Sequence, residues 1–406
     1  MNRPKEVIII GGGAAGFFAA INLAESNPDI RVTILEKSNK VLQKVKVSGG
    51  GRCNVTHACF DPRELVEHYP RGKKELLGPF HKFMTGDTME WFENRGIPLK
   101  IEADNRIFPQ SDSSQSIIDC FVSSAEKAGV IVKLGQNVQD IVINEGQFEI
   151  KTGTEKFLAD KLLICSGGNP KIWQLLKKLG HQITDPVPSL FTFNIKDPVI
   201  DDIPGLSVPN AIVKVTGFKD PSQGPLLITH WGLSGPAILK LSAFSARYLA
   251  EKNYEFDLLV NWCGLPLETV RKILMDQKKS ASKKQVFLRS VYPEIPKRLW
   301  VRLLTAAGIG ADQNWSDLSH QQIESIARQL TRTRFRSNGK TTFKEEFVTA
   351  GGVDLKEVNF KRFESKLHPN LFFAGEILDI DGVTGGFNFQ NAWTGGFLAA
   401  MAMADV

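Results

Sequence analysis

A glycine-rich segment near the start of the chain has the residue types that bind a phosphate. The apolar run Val7–Ile10 leads directly into the sequence GGGAAG at residues 11–16. Gly11 permits a tight turn out of a strand, Gly13 lets the backbone approach a pyrophosphate, and Gly16 lets the next helix pack against the sheet. The positive end of that helix faces the anion. The predicted dinucleotide contacts are Gly11, Gly13, Ala14, Ala15 and Gly16.

An acidic residue twenty positions after the last of these glycines indicates which nucleotide is bound. Residues 31–35 (RVTIL) predict a second parallel strand, and Glu36 follows at its carboxyl end. A carboxylate there can accept both ribose hydroxyls and would repel a 2′-phosphate, which disfavours NADP in this site. We therefore expect Glu36 and its neighbour Lys37 to contact the adenosine part of the ligand.

Three glycines, two hydroxyls and three cations lie together in residues 44–56, which read KVKVSGGGRCNVT. Such a segment can lay N–H groups and positive charge against a phosphate or a flat ring. It follows the second predicted strand and so emerges at the carboxyl edge of the sheet, where ligands bind. A flexible surface loop is the alternative interpretation. The predicted cofactor contacts are Lys46, Ser48, Gly49, Gly50, Gly51, Arg52, Cys53 and Asn54.

Two later strand ends carry similar signals. Residues 162–165 predict a strand that ends in Ser-Gly-Gly, and residues 371–374 predict another that leads into a glycine-rich segment and a helix beginning near Phe387. The N–H groups at the start of that helix lie under its dipole, which suits the negative charge of a reduced flavin at N1 and O2. The predicted contacts are Ser166, Gly167, Gly168, Gly375, Glu376, Asp381, Gly385, Gly386, Phe387 and Asn388, together with Val138 at the start of a strand over 138–143.

Composition and charge limit the class of protein. A chain of 406 residues predicts two or three domains, and 42% hydrophobic with 23% charged residues is typical of a globular protein. The net charge of +6 is a mild excess that does not require nucleic acid, and the basic run at 278–284 is typical of a solvated loop. We expect no signal peptide and no membrane span. Five irregularly spaced cysteines indicate a reducing compartment, so we predict a cytoplasmic location.

The sequence resembles the BaiN-like family of FAD-dependent oxidoreductases, also described as aminoacetone oxidase family enzymes. The resemblance rests on residues 11–16, 46–54, 106–109, 229–236, 349–353 and 375–386. It implies FAD bound across both ends of the chain and hydride exchange between flavin N5 and a small organic substrate. Members are assigned to enone reduction and to amine oxidation. Either NADH or NADPH visits the pocket and reduces the flavin, or the substrate reduces it and oxygen reoxidises it.

The expected fold is α/β, with a Rossmann-like FAD-binding domain formed by residues 1–190 and 345–406. Short alternating runs predict a β-barrel-like subdomain over 191–260 and 332–344. Residues 261–331 predict a small helical subdomain, in which Ser319 and Gln322 have the spacing of a capping box. These inserted segments would cover the flavin and shape a substrate pocket.

His230, within the sequence THWGLSGP at 229–236, is the candidate catalytic residue. An imidazole can pass a proton near neutral pH, as enone reduction and amine oxidation both require. A structural role in its turn is an equal alternative. We expect a small-molecule substrate, no nucleic-acid or membrane partner and no metal, and the sequence leaves the oligomeric state open.

Two other functions stay open at this point. Cys53 and Cys59 fall where flavin disulfide reductases place a redox pair, but five residues separate them where those enzymes have four. The sequence also has no second glycine fingerprint for a nicotinamide domain, so disulfide exchange is the weaker alternative. Some tRNA-modifying flavoproteins share a glycine-rich FAD domain of this kind, which makes an RNA-modifying or regulatory flavoprotein the other alternative.

Overall fold

A computed structural model of the chain describes residues 4–341 and 348–405. The described residues form two compact units, which we call the terminal unit (4–187 and 348–405) and the middle unit (188–341). The predicted domain boundary at residues 344 and 345 lies outside the described residues. The predicted division into three parts stays a prediction.

The strands and helices are numbered in chain order. The strands are β1 (Lys5–Ile10), β2 (Ile30–Leu35), β3 (Thr56–His57), β4 (Leu99–Ile101), β5 (Arg106–Pro109), β6 (Ile131–Lys133), β7 (Val138–Asn144), β8 (Gln147–Thr152), β9 (Lys156–Ala159), β10 (Lys161–Ile164), β11 (Ile183–Ser189), β12 (Thr192–Asn194), β13 (Ser207–Val215), β14 (Ser222–Thr229), β15 (Gly232–Ser234), β16 (Glu255–Asn261), β17 (Thr333–Asn338), β18 (Lys340–Thr341), β19 (Val348–Val353), β20 (Val358–Asn359), β21 (Glu364–Ser365) and β22 (Leu371–Phe373). The α-helices are α1 (Ala14–Ser26), α2 (Gln43–Gly51), α3 (Pro62–Val66), α4 (Lys73–Phe80), α5 (Thr85–Glu93), α6 (Ser114–Lys127), α7 (Pro170–Lys178), α8 (Pro236–Phe244), α9 (Ala246–Glu251), α10 (Leu267–Ser280), α11 (Lys297–Ala306), α12 (His320–Arg332) and α13 (Phe387–Ala404).

The terminal unit is built on a seven-stranded sheet in the order β20-β21-β22-β10-β1-β2-β6. Strand β1 pairs in parallel with β2 and β10, and its residues Val7–Ile10 are at most 4% exposed. A continuous apolar run is what a parallel strand covered on both faces requires. This arrangement confirms the predicted α/β, Rossmann-like fold.

Helices α1 and α13 pack closely, because small residues lie between them. A Cβ atom on Gly396 would come within 3.0 Å of the Ala15 carbonyl oxygen. Trp393, also on α13, is fully buried against Phe18 of α1, with 5.2 Å between their ring centroids. The predicted helix near Phe387 is confirmed as α13, and its buried apolar residues pack against α1.

The middle unit contains a seven-stranded antiparallel sheet in the order β17-β16-β13-β14-β15-β12-β18. Helices α8 to α12 bury apolar side chains in the same core as the strands. Three buried tryptophans belong to that core: Trp262 directly after β16, Trp300 on α11, and Trp315 between α11 and α12. The predicted capping box is confirmed at the start of α12. There the Ser319 hydroxyl accepts from the Gln322 N–H at 3.1 Å, and the Gln322 side chain accepts from the Ser319 N–H at 2.9 Å.

Candidate cofactor-binding site

The glycines in the turn between β1 and α1 have two different roles. Two of them allow close backbone packing, and one leaves open space. Gly11 has φ +116°, and a Cβ there would overlap the Cys165 carbonyl group. A Cβ on Gly16 would likewise overlap the Gly11 carbonyl oxygen, whereas a Cβ on Gly13 would meet no atom within 4 Å. Gly11 and Gly16 therefore allow the end of β1, helix α1 and the end of β10 to approach one another closely. Gly13 leaves open space at the positive end of α1, where a pyrophosphate fits.

Glu36 ties the first turn to the end of β2. Its Oε2 accepts from the Gly12 N–H at 2.8 Å, and its Oε1 accepts from the Ser38 N–H at 2.9 Å. These bonds fix the orientation of the carboxylate, and each oxygen keeps a further lone pair for a ribose hydroxyl. Lys37 beside it is exposed to solvent.

The glycine-rich segment after β2 is partly helical, where the sequence predicts a loop. Helix α2 spans Gln43–Gly51, but Ser48, Gly49 and Gly50 depart from helical backbone angles. Val45 is fully buried and anchors the first turn of this helix in the core. Cβ atoms on Gly50 and Gly51 would meet no atom within 4 Å, so this kinked end of α2 exposes backbone that a ligand can approach.

The charged and nucleophilic side chains of this segment have different surroundings. Arg52 pairs with Glu102 at 2.6 Å, and its guanidinium lies 3.9 Å from the centroid of the Phe108 ring, so its charge is used within the protein. Lys46 is exposed. Cys53 is fully buried, and desolvation raises the pKa of its thiol to about 12. The thiol is therefore protonated at neutral pH.

An ion pair that the sequence analysis missed joins the two ends of the chain. Lys44 Nζ lies 2.5 Å from Glu376 Oε2, and Glu376 Oε1 accepts from the Thr349 N–H at 3.0 Å. A Cβ on Gly167 would lie 3.5 Å from Glu376 Oε2. A Cβ on Gly375 would lie 3.3 Å from the Ala15 Cβ. The segments at 11–16, 43–51, 166–168 and 375–376 are thus brought to one edge of the sheet, as the sequence predicts.

The turn before α13 is held by the segment that follows α2. With its amide oriented so that each atom faces a suitable partner, Asn54 accepts from the Gly386 N–H at 3.0 Å and donates to the Thr56 carbonyl at 2.9 Å. Gly386 has φ +96°, and a Cβ there would come within 2.6 Å of the Thr56 backbone. The predicted N–H donor at Gly386 therefore has a partner within the protein. Asn388 closes the same turn, because its amide exchanges two hydrogen bonds with Gly382.

Buried polar side chains support this turn from below, and no local sequence pattern marks them. Thr56 Oγ1 donates to Gln390 Oε1 at 2.6 Å, and Thr88 Oγ1 donates to the same oxygen at 3.1 Å. The Tyr69 hydroxyl donates to the Phe387 carbonyl at 2.6 Å. Satisfied buried networks of this kind fix backbone position.

His57 is a second feature that the sequence analysis missed. Its ring stacks on Phe387 with centroids 4.7 Å apart, and the His68 ring stacks on Phe387 at 4.1 Å. A cavity of about 620 Å³ opens here, lined by His57, Ala58, Cys59, Phe60, Asp61, Glu64, His68 and Asn105. Burial lowers the pKa of His57, and the nearby Asp104 offsets part of this effect.

Three predicted site residues have other surroundings. The Asp381 carboxylate is fully buried and forms a two-point ion pair with Arg71. Val138 is buried at the start of β7, where it pairs with Thr152. His230 is exposed in the turn between β14 and β15 of the middle unit, beside the exposed Trp231. The Thr229 hydroxyl holds that turn by accepting from the Trp231 N–H at 3.2 Å.

Two absences apply to the described part of the chain. Within residues 4–341 and 348–405, no group of three or more His, Cys, Asp or Glu side chains could hold a metal ion. Over those same residues, the helices are too short or too polar to cross a membrane.

Comparison with known proteins agrees with this geometry. The family described as HI0933-like protein Rossmann domain matches residues 5–402. A ribosomal RNA dihydrouridine synthase of Haemophilus influenzae is 28% identical over 418 residues. A 3-dehydro-bile acid delta(4,6)-reductase of Clostridium scindens is 29% identical over 419 residues. Both alignments cover 100% of this chain and 100% of the relative.

A solved structure supports the fold independently. The 3-ketosteroid-delta4-(5alpha)-dehydrogenase of Rhodococcus jostii RHA1 superimposes with a TM-score of 0.51 at 14% identity, covering 98% of this chain and 97% of that chain. The family match spans nearly the whole sequence, and the glycine turns lie at one sheet edge as a dinucleotide requires. The chain therefore belongs to the HI0933-like Rossmann family and is an FAD-dependent oxidoreductase.

Proposed function

We propose that this enzyme reduces a carbon–carbon double bond conjugated to a carbonyl group. One observation carries the proposal. Two relatives with different names, each aligned over its full length, are both named for reducing a bond of this type. A 4-ene conjugated to a 3-oxo group and the C5=C6 bond of uracil are both electron-poor alkenes. The substrate gains a hydride at the β-carbon and a proton at the α-carbon, and NADH or NADPH is the proposed source of electrons.

FAD, when bound, supplies the hydride-transfer chemistry. The chain's own residues bind and orient it. Gly13 and the start of α1 would receive the pyrophosphate, Glu36 would accept the ribose hydroxyls, and Lys44 with Glu376 would border the central part of the ligand. The turn at Gly385 and Phe387 would face the pyrimidine edge of the flavin. His230 stays the proposed proton donor, and the cytoplasm the proposed location.

Anaerobic mixing tests the direction of electron flow. We expect the flavin absorbance band of the purified enzyme to bleach with NADH or NADPH, and to return when 2-cyclohexenone or a uridine-rich RNA is added without oxygen. Amine oxidation, the alternative, predicts bleaching by an amine and recovery only with oxygen. A flavin that neither nicotinamide reduces would overturn the reductase proposal.

A further inference from the structure

The positive charge of this chain is concentrated in the middle unit. Residues 188–341 contain 21 Lys and Arg against 13 Asp and Glu, a net charge of +8 in a chain whose total is +6. The remaining residues therefore carry a net charge of −2. Within the middle unit, residues 278–298 hold seven cations and one carboxylate, Glu294.

Most cations of this stretch form no ion pair with a residue that the structure describes, whereas several arginines elsewhere in the same unit do. Lys278 donates to the Leu318 carbonyl. Arg271, Arg328 and Arg334 each form an ion pair with a carboxylate, at 2.5 to 2.8 Å. Six side chains on the stretch are exposed and form no ion pair with any residue that the structure describes. We call these six the basic face: Lys279, Lys283, Lys284, Arg289, Lys297 and Arg298.

The backbone that carries the basic face is fixed to the core. Val286 is fully buried, its N–H donates to the Gln313 carbonyl at 3.0 Å, and its carbonyl accepts from the Trp300 indole N–H at 2.9 Å. The Lys284 carbonyl accepts from the Trp315 N–H at 3.0 Å. An ordered backbone with outward cations needs little ordering when it binds a polyanion.

An apolar side chain accompanies the charges. Leu288 is 59% exposed in the middle of the stretch, and Phe287 next to it is half-buried. Apolar and aromatic groups among cations can contact unstacked bases, whereas the cations contact phosphates.

We propose that the basic face is a docking surface for RNA. An anionic membrane is the less favoured partner, because membrane-surface helices need a free apolar face. Here the apolar residues of α10 and α11, such as Val270, Leu274, Leu299 and Leu303, are buried in the core. The choice of RNA rests on the proposed function, since uracil carries the required double bond, but binding itself needs no turnover.

Binding of a fluorescein-labelled, uridine-rich RNA hairpin to the holoenzyme tests the proposal by fluorescence anisotropy across a salt series. The variant is K279Q/K283Q/K284Q, and the matched control K74Q/K177Q/K178Q removes the same charge from exposed lysines of the terminal unit. We expect the variant to lose about tenfold or more in affinity and its log–log salt slope to become shallower by about two, because three phosphate contacts are lost. We expect the control to bind like the unmodified enzyme.

Equal binding by the variant and the control would overturn the proposal, as would binding to phosphatidylserine vesicles without binding to RNA. The 2-cyclohexenone assay separates this outcome from failure of the proposed function. Loss of RNA binding in a variant that still reduces the enone supports both proposals. If the variant loses RNA binding but the enzyme reduces neither 2-cyclohexenone nor RNA, the docking-surface proposal is supported and the proposed reductase function is refuted.

Discussion

Lys44 Nζ and Glu376 Oε2 lie 2.5 Å apart and link the helix after β2 to the segment after β22, although 332 positions separate these residues in the chain. The Lys44 side chain is 62% exposed and that of Glu376 is 19% exposed. The pair therefore lies at the rim of the site, where it meets solvent on the lysine side and the Gly167 turn on the other.

Replacement of Lys44 by Met removes the cation and leaves the Glu376 carboxylate uncompensated beside a ligand that is itself anionic. An exposed ion pair contributes about 0–1 kcal/mol, so we expect the melting temperature of the apoprotein to change little. We expect the Kd for FAD to rise about threefold to tenfold, equivalent to about 0.7–1.4 kcal/mol. Quenching of flavin fluorescence measures the Kd, and Lys74→Met serves as the control. An FAD affinity equal to that of the control would refute this role.

Substitutions at Gly13 and Gly16 separate ligand space from packing. Gly13→Ala places its Cβ in open space, so we expect the apoprotein to melt within a few degrees of the unmodified apoprotein and the holoenzyme to lose FAD. Gly16→Ala forces its Cβ against the Gly11 carbonyl oxygen, which costs about 1–3 kcal/mol by overpacking. Calorimetry of both apoproteins checks this difference. Equal melting temperatures for the two variants would contradict it.

His181 links stability to pH. Its Nδ1 lies 2.7 Å from Glu357 Oε2, and its Nε2 lies 3.1 Å from Ser365 Oγ. Desolvation lowers the pKa of His181, an effect that Glu357 only partly offsets. The folded-state pKa thus lies below the unfolded value of about 6.5, so this stability is complete above about pH 6.5 and is lost as pH falls through the folded pKa.

We expect His181→Gln to lower the melting temperature at about pH 7.5 and to flatten its decline between about pH 7.5 and pH 5.5. Some decline persists, because the lowered pKa of His57 acts in the same direction. Differential scanning fluorimetry at both pH values provides the measurement. A steeper decline in the variant would mean that protonated His181 stabilises the fold.

Burial predicts that Cys53 is unreactive. Its pKa of about 12 leaves almost no thiolate at about pH 8, whereas alkylation needs the thiolate and access to it. Peptide mass spectrometry after iodoacetamide treatment should show that Cys53 is modified far more slowly than the partly exposed Cys263. Unfolding in urea should make all five cysteines react alike. Rapid modification of Cys53 in the native enzyme would revive the disulfide-exchange alternative.

The sequence predicts the parallel core of the terminal unit well, because a continuous apolar run that ends in glycine is typical of a buried parallel strand leading into a tight turn. The predicted strand at 7–10 corresponds to Lys5–Ile10, and the predicted strand at 162–165 corresponds to Lys161–Ile164. Strand β1 begins two residues earlier than predicted, because its pairing with β2 includes Lys5 and Glu6, and β10 lies one residue earlier than predicted. Capping at Ser319 was predictable because both partners lie within three residues.

Contacts between distant segments could not be predicted in this way. Nothing near Lys44 distinguishes it from Lys46, and only the fold brings Glu376 to one of them. The helix over Gln43–Gly51 was missed because three glycines favour a loop, whereas burial of Val45 stabilises a helical turn before them. The network around Gln390 is likewise invisible in sequence, since its partners Thr56 and Thr88 lie more than 300 positions away.

The contact between α1 and α13 constrains the order in which parts of the chain can fold during synthesis. Ala15 and Phe18 leave the ribosome well before Gly396 and Trp393, which cover them. Domains generally fold as units while synthesis proceeds, so the middle unit can complete its core while α1 still waits for its partner. A nascent chain that stops before α13 therefore lacks the residues that cover α1, and we expect it to carry a folded middle unit and no flavin.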